Sequence, residues 1–265
     1  MTAVGRVESF WRYPVKSMAG EAIEEAFVGY AGVFGDRCCA FLNAAAPAAG
    51  FPYLTGRNKG QMLQFRPRFR DLELAARPIN QTAAEQLGPG LTPLYPAPLE
   101  RLAIDVQAPS GDVLAIDDPA LRGLLATKSI DADKLSLVRS DRALTDCRPL
   151  SIISMKTVSQ LSDEIGVMLD PRRFRMNIYA DLGSAGGFAE DAFVGKRLAI
   201  GERAVIAVLD RDPRCKMISL DPDTGEENSD VLRHVAKAHE TRVGVYCAVL
   251  TEGTVKRGDE IRLLD

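Results

Sequence analysis

Three short clusters carry side chains whose chemistry goes beyond filling a fold. The first is Tyr13-Pro14-Val15-Lys16-Ser17. It follows an apolar stretch that reads as the first strand, and Pro14 fixes the turn. Lys16 and Ser17 then stand at a strand end, where an ammonium and a hydroxyl can meet an anion; a solvated loop lysine is the plainer account. The second is Gly35-Asp36-Arg37, running into Cys38-Cys39-Ala40-Phe41-Leu42. An arginine at the mouth of an apolar strand is either pinned by its aspartate or free to clamp phosphate, which its planar fork binds bidentately. The third is Asp212-Pro213-Arg214-Cys215. A cysteine after an arginine, at the start of an expected strand, sits in an electropositive setting that favours the thiolate, the form that attacks or ligates metal. Burial as a small hydrophobe is the commoner fate.

The other cysteines divide by context. Cys247 lies among Val243, Val245, Val249 and Leu250 and reads as core. Cys38 and Cys39 are neighbours on a strand, so at most one faces a given site. Cys147 precedes Arg148-Pro149 in a loop and is left open. Arg66, Arg68 and Arg70 alternate with Pro67 and Phe69, which puts three charges on one strand face. A solvated edge strand explains them better than a nucleic-acid stripe.

Much common chemistry is excluded. No G-x-x-x-x-G-K-[ST] or strand-bound G-x-G-x-x-G occurs, so no glycine loop for phosphate is expected. His234 and His239 lie five apart with no H-E-x-x-H, which argues against a zinc hydrolase and leaves two exposed helix histidines. No G-x-S-x-G elbow or ferredoxin-like cysteine cluster is found. Asp221-Pro222-Asp223-Thr224-Gly225 opens like a calcium loop, but its twelfth position is Leu232, so it reads as a turn.

These residues need a substantial scaffold, and 265 residues with 46% apolar content supply one. The net charge of −3 argues for neither nucleic acid nor an anionic membrane as partner. Five cysteines with no C-x-x-C pair argue against a disulfide scaffold or zinc ribbon. No apolar run reaches the about 18 residues of a membrane helix, and no signal-peptide core is seen. A cytoplasmic protein is expected.

Most of the chain reads as short strands: 4–11, 23–30, 38–42, 63–69, 72–76, 99–106 and 113–116 in the first part. One helix there, about 119–128, has Asp117 or Asp118 as N-cap and Pro119 in its first turn. A proline-rich stretch, 89–98, is loop. The second part has strands at 150–153, 174–180, 197–200, 204–209, 215–220, 243–250 and 260–264. Helices are expected at 156–165 and 229–238. The fold class is α+β, mainly β: a β-barrel preceded by a smaller β-barrel-like domain. The domains are placed at 1–115 and 116–265.

The three clusters, in this order, resemble the molybdenum-cofactor-sulfurase C-terminal (MOSC) domain family. The resemblance is to the subgroup with an N-terminal β-barrel domain, which includes the amidoxime-reducing components. It rests further on Leu54-Thr55-Gly56-Arg57, on 149–154, on Phe174-Arg175-Met176-Asn177-Ile178, and on Arg214-Cys215 followed by Asp221-Pro222-Asp223-Thr224-Gly225. The closing residues 253–255 and Gly258-Asp259 fit the family's last hairpin. The resemblance implies a molybdenum cofactor (Mo-molybdopterin) with Cys215 as the protein ligand to the metal. It implies Lys16, Ser17 and Arg37 on the phosphate and pterin, and Ser154, Arg175 and Asn177 lining the cofactor. Arg214 would add positive potential beside the cysteine. A relative often has Pro where Met176 stands.

The implied activity is reduction of small N-hydroxylated compounds: two-electron removal of oxygen at an oxo-molybdenum centre, releasing water. No membrane anchor or fused ferredoxin is seen, so electrons are expected from a separate donor protein. No side chain stands out as the proton donor. The alternative is a carrier that transfers the cofactor, or sulfur as a Cys215 persulfide. A third reading is a barrel that has lost its cofactor.

Overall fold

The first strand, residues 2–12, buries both Val7 and Phe10 in one core although they differ in parity, because its register shifts between Val7 and Ser9, and it joins a closed barrel. The structure is a computed structural model that describes residues 1–46, 51–87 and 101–264. The proline-rich stretch and the start of the expected strand 99–106 lie outside the described residues. In chain order the elements are β1 (Thr2–Arg12), β2 (Glu21–Ile23), β3 (Glu25–Gly29), β4 (Gly32–Val33), β5 (Cys39–Asn43), β6 (Arg66–Phe69), α1 (Gln81–Leu87), β7 (Ile104–Gln107), β8 (Val113–Ala115), α2 (Pro119–Leu125) and β9 (Leu135–Arg139). Then follow β10 (Leu150–Ser154), α3 (Met155–Ile165), β11 (Ile178–Asp181), β12 (Arg197–Ile200), β13 (Ala204–Pro213), α4 (Ser229–Ala238), β14 (Arg242–Thr251), β15 (Gly253–Lys256) and β16 (Glu260–Leu264).

Seven strands close the barrel in the order β11-β10-β14-β13-β12-β16-β1, with β1 pairing back onto β11. The fold is α+β and mainly β. The β10–β11 pair is parallel, a pairing that needs a crossover, and α3 lies within that connection. The barrel interior is apolar, with Ile152, Ile178, Leu198, Ile206, Val245 and Cys247 buried together. A second core, built from residues 15–135, holds Val15, Phe41, Met62, Phe69, Ile104 and Leu121 between β5–β9 and the sheet β6-β7-β8. A third core packs α3 and α4 against the outside of the barrel through Val158, Leu161, Val231 and Val235, and includes Ile218.

Several expected strands are other structures. Residues 72–76 form turns, because Leu72 is exposed and the Ala75 carbonyl accepts from the buried Arg12 guanidinium, which also pairs with Glu21 at 2.8 Å. Gly60–Gln64 is a 3-10 turn that buries Met62 and Leu63, so the strand begins only at Arg66. Pro171–Phe174 is also a 3-10 turn, capped by Arg175 in left-handed backbone, and the strand starts at Ile178. Residues 215–220 likewise turn: Cys215 precedes the 3-10 segment Lys216–Ser219, and the Ile218 amide donates to the Cys215 carbonyl at 3.2 Å. Helix α1 was not expected from the sequence, and neither were β4 and β9, whereas β15 begins the closing hairpin expected at 253–255.

Other expectations hold. Asp118 caps α2 by accepting from the Ala120 amide. The arginines of β6 lie on the exposed face of an edge strand. Asp221 closes its turn by accepting from the amides of Asp223 and Thr224 at 3.0 Å each. No described helix is long and apolar enough to cross a membrane.

Glu190 is buried where α3 meets the barrel and accepts from the Thr157 hydroxyl at 2.8 Å and the Ser154 amide at 3.2 Å. Burial raises its carboxyl from 4.5 to about 7, with those hydrogen bonds opposing. Between these values the unfolded chain loses a proton that the folded protein keeps, so stability falls as pH rises through that window. Glu190→Gln should flatten this dependence, removing a slope that totals roughly 3 kcal/mol. Urea unfolding on either side of the window measures it.

Candidate active site

The site lies where the loops of the N-terminal core meet one end of the barrel. β1 ends at Arg12, and the chain then makes a bridge from Val15 to Cys39 that sets Lys16 and Ser17 beside Arg37. From the barrel come Arg175 and Asn177, leading into β11, Ser151 on β10, and the Asp212–Cys215 segment at the end of β13. Two close approaches hold the halves together. A Cβ on Gly56 would meet Met217 Sδ at 2.9 Å, and one on Gly60 would meet the Gly225 carbonyl at 2.5 Å. Glycine is required at Gly60, where the obstacle is backbone, whereas the Met217 side-chain end beside Gly56 can shift.

Lys16, Ser17, Arg37, Arg175, Asn177, Arg214 and Cys215 line one cavity of about 310 Å³. Ser154 does not. It is fully buried, and its hydroxyl caps α3 by accepting from the Lys156 amide; Ser151, on the same strand, lines the cavity instead. In all, seven cationic side chains and two carboxylates face this space.

Tyr13 is the support that sequence reasoning missed. The guanidinium carbons of Arg37 and Arg175 lie 4.6 and 4.3 Å from its ring centroid. Its hydroxyl donates to the Met176 carbonyl at 3.2 Å. Arg37 also pairs with the buried Asp36 and donates to the Arg175 carbonyl at 2.9 Å. Arg175 is half-buried; desolvation lowers its guanidinium to about 10, and nearby Arg37 lowers it further against the pull of Tyr13. Its Nη2 is buried without a partner, as are the Nε atoms of Arg173 and Arg214. Ser17, Arg37 and Arg175 have φ of 63°, 45° and 53°, three of the six described non-glycine residues in left-handed backbone. Such strain concentrates at functional sites.

Lys16 donates to the Leu144 carbonyl at 2.6 Å and pairs with Asp146, which also meets Arg57 at 3.4 Å. Burial lowers the Lys16 ammonium, and Asp146 opposes the shift. Asn177 accepts from the Ser151 hydroxyl at 3.2 Å and donates to the Trp11 carbonyl at 3.4 Å, which leaves one lone pair and one N–H. Arg214 pairs with Asp212 and donates to the Phe174 carbonyl. Asp212, from the same Asp212-Pro213-Arg214-Cys215 cluster, lines the cavity too. Burial raises its carboxyl to about 6 against Arg214, and its Oδ1 is unpartnered. Cys215 is half-buried on the cavity wall.

Residues 139–262 match the model of the MOSC domain family. The chain carries a MOSC domain. The matched span contains Arg175, Asn177, Arg214 and Cys215, whereas Lys16, Ser17 and Arg37 precede it. No curated protein matches the sequence. Among solved structures, the chain is similar to the YuaD protein of Bacillus subtilis at 13% identity and TM-score 0.48, covering 98% of this chain and 94% of that one. It is similar to YiiM of Geobacillus stearothermophilus at 16% identity and TM-score 0.36, covering 44% of this chain and 55% of that one. YiiM of Escherichia coli also matches at 16%, with TM-score 0.34 and coverage of 44% and 55%. The match thus spans about half the length of the YiiM proteins.

MOSC domains are associated with the molybdenum cofactor. The cavity's donor set fits such a group: unpartnered buried N–H groups suit a phosphate, and a thiolate suits a soft metal ligand.

Replacing Arg175 by Met removes a partly desolvated charge held beside Arg37. Ligand-free Arg175→Met should unfold at a higher temperature, a gain on the order of 1–3 kcal/mol. The variant should also lose the stabilisation that inorganic pyrophosphate gives the wild type. Thermal unfolding with and without the anion reads both effects.

Proposed function

We propose that this chain binds a molybdenum cofactor in the Cys215 cavity and reduces small N-hydroxylated compounds. The observation that carries the reading is the convergence, on one cavity, of a half-buried thiol with buried guanidinium N–H groups that have no partner of their own. In this reading Cys215 Sγ is the metal's protein ligand. Lys16, Arg37 and Arg175 hold the phosphate, with Tyr13 keeping the two guanidinium groups in place. Ser17 and Asn177 orient the pterin, and Arg214 supplies positive potential beside Cys215. When bound, the cofactor supplies a two-electron couple that takes oxygen from N–OH, so that an N-hydroxy group, two electrons and two protons give N–H and water. The electrons come from a separate donor protein in the cytoplasm.

The chain itself must hold a proton. Asp212 Oδ1 is buried, unpartnered and on the cavity wall, and its carboxyl is raised to about 6. Asp212 therefore presents a protonated acid below that pH and loses it above. Wild-type turnover, which needs the loaded site, should decline as pH rises past a midpoint above this value of about 6. Asp212→Asn should remove this step and lower the rate about a hundredfold, the usual contribution of a positioned acid. A pH–rate profile of both proteins checks the assignment.

The cofactor assignment is tested by elemental analysis after expression in a cofactor-competent host. The wild type should hold about one molybdenum per chain, and Cys215→Ala should lose it while keeping its fold. A metal-free wild type, or an alanine variant with full metal and activity, sinks the reading. A chain that loads molybdenum, reduces no N-hydroxy substrate with an artificial donor, and reconstitutes an apo-enzyme would be a carrier instead.

A further inference from the structure

The chain has two histidines, and both end on the same carboxylate. His234 Nε2 lies 2.8 Å and His239 Nε2 lies 2.6 Å from Glu164 Oε2. Glu164 stands in the last turn of α3, His234 lies within α4, and His239 is its C-cap. Residues separated by 70 and 75 positions are thus brought to one point by the packing of the two helices. The i, i+5 spacing of the histidines does not suggest this, because the third member comes from another helix.

We propose that Glu164, His234 and His239 form a binding site for a late first-row divalent cation, zinc foremost, that clamps α3 to α4.

The ligand chemistry suits it. Two imidazoles and one carboxylate are a common donor set for zinc, with a fourth position left for water. The three donor atoms lie within 4.8 Å of one another. Ligands of a tetrahedral zinc stand about 3.3 Å apart, so the histidine–carboxylate contacts need to open by about 0.6 Å. Each imidazole then offers the Nε2 lone pair and carries its proton on Nδ1.

The surroundings hold these groups in place, as metal sites require. Gln160, one turn earlier on α3, donates to Glu164 Oε1 at 2.8 Å and leaves Oε2 for the histidines. The His239 ring stacks on Phe188 with centroids 4.2 Å apart and planes 16° apart. Phe188 is itself tied to α3, since its amide donates to the Thr157 hydroxyl at 2.7 Å. Phe188, Glu240 and Thr241 all sit in left-handed backbone, so strained residues flank this cluster as they do the cavity. The side chains are 14–28% exposed, open enough for an ion to enter.

None of the three residues lines the Cys215 cavity, so the site is independent of the proposed cofactor. Its effect reaches that cavity through packing. α4 shares a core with Ile218, which belongs to the turn that follows Cys215. An ion joining α3 to α4 would stiffen the layer on which that turn rests.

The test uses the full-length, tag-free protein, stripped with a chelator and titrated with Co2+ and then Zn2+. One equivalent should bind, with visible ligand-field absorption and none of the near-ultraviolet charge transfer that a thiolate ligand adds. Zinc should raise the unfolding temperature. His234→Ala, His239→Ala and Glu164→Gln should each weaken binding at least tenfold; Glu164→Gln keeps side-chain shape and guards against misfolding of the histidine variants. Absence of binding, a thiolate signature, or unchanged affinity in the folded variants overturns the proposal.

Discussion

Like charge packed into a poorly solvated seam is the constraint on which the rest of this structure depends. Two unit charges 4 Å apart interact by about 4 kcal/mol near a protein surface. Lys16, Arg37, Arg175 and Arg214 share one cavity, so the fold must disperse that repulsion. It does so with the Tyr13 ring between or beside two guanidinium groups, with Asp36 and Asp212 held buried as counter-charges, and with the carbonyls of Phe174 and Arg175 turned toward arginine donors. Left-handed backbone at Ser17, Arg37 and Arg175 adds to the cost. An arrangement of this kind is suited to an anionic ligand.

The topology makes the arrangement rigid. β1 completes the barrel by pairing with β11 and β16, and then delivers Lys16 and Ser17 into the second core. The strand that closes the barrel is therefore also the strand that aims the first cations. On the opposite wall, β13 pairs with β14 as far as Pro213 and Arg242, so Arg214 and Cys215 leave a fixed strand end. The Arg214 amide is tied to the Thr241 carbonyl at 2.7 Å. The residues that begin at Lys16 and at Arg214 therefore leave paired strand ends, which fixes where they enter the cavity.

What could be read from the sequence follows from how local its cause is. Helices α3 and α4 and strands β10, β12 and β16 have periodic apolar faces, and their bounds come out close to expectation. Phe174 and residues 215–220 read as strand but lie in 3-10 turns or beside them, because Phe174 and Ile218 serve the helix-facing core rather than a sheet face. A left-handed Arg175 leaves no compositional trace, since it is enforced by tertiary packing and not by glycine. Ser154 was carried over by resemblance and is consumed in capping α3. Tyr13 and Asp212 stood inside the quoted clusters, yet their roles depend on partners more than 20 residues away or on burial. The histidine pair was judged by its own spacing, and the residue that joins it lies on a different helix.

The charge cluster also bears on the proton. Burial pushes the Asp212 carboxyl up, while Arg214, the Tyr246 hydroxyl and more weakly Arg37 pull it down, and burial prevails to leave it at about 6. An anion seated on these cations cancels part of the field that favours the carboxylate. It also displaces water from the cavity, which increases the cost of ionising Asp212. Both changes act in the same direction: the loaded site holds the proton to a higher pH than the empty one. The same arginines would thus bind the anionic group and, once neutralised by it, leave beside Cys215 an acid that stays protonated nearer to neutral pH. Catalytic groups are often poised in this way, through burial and a charged neighbour acting in opposition.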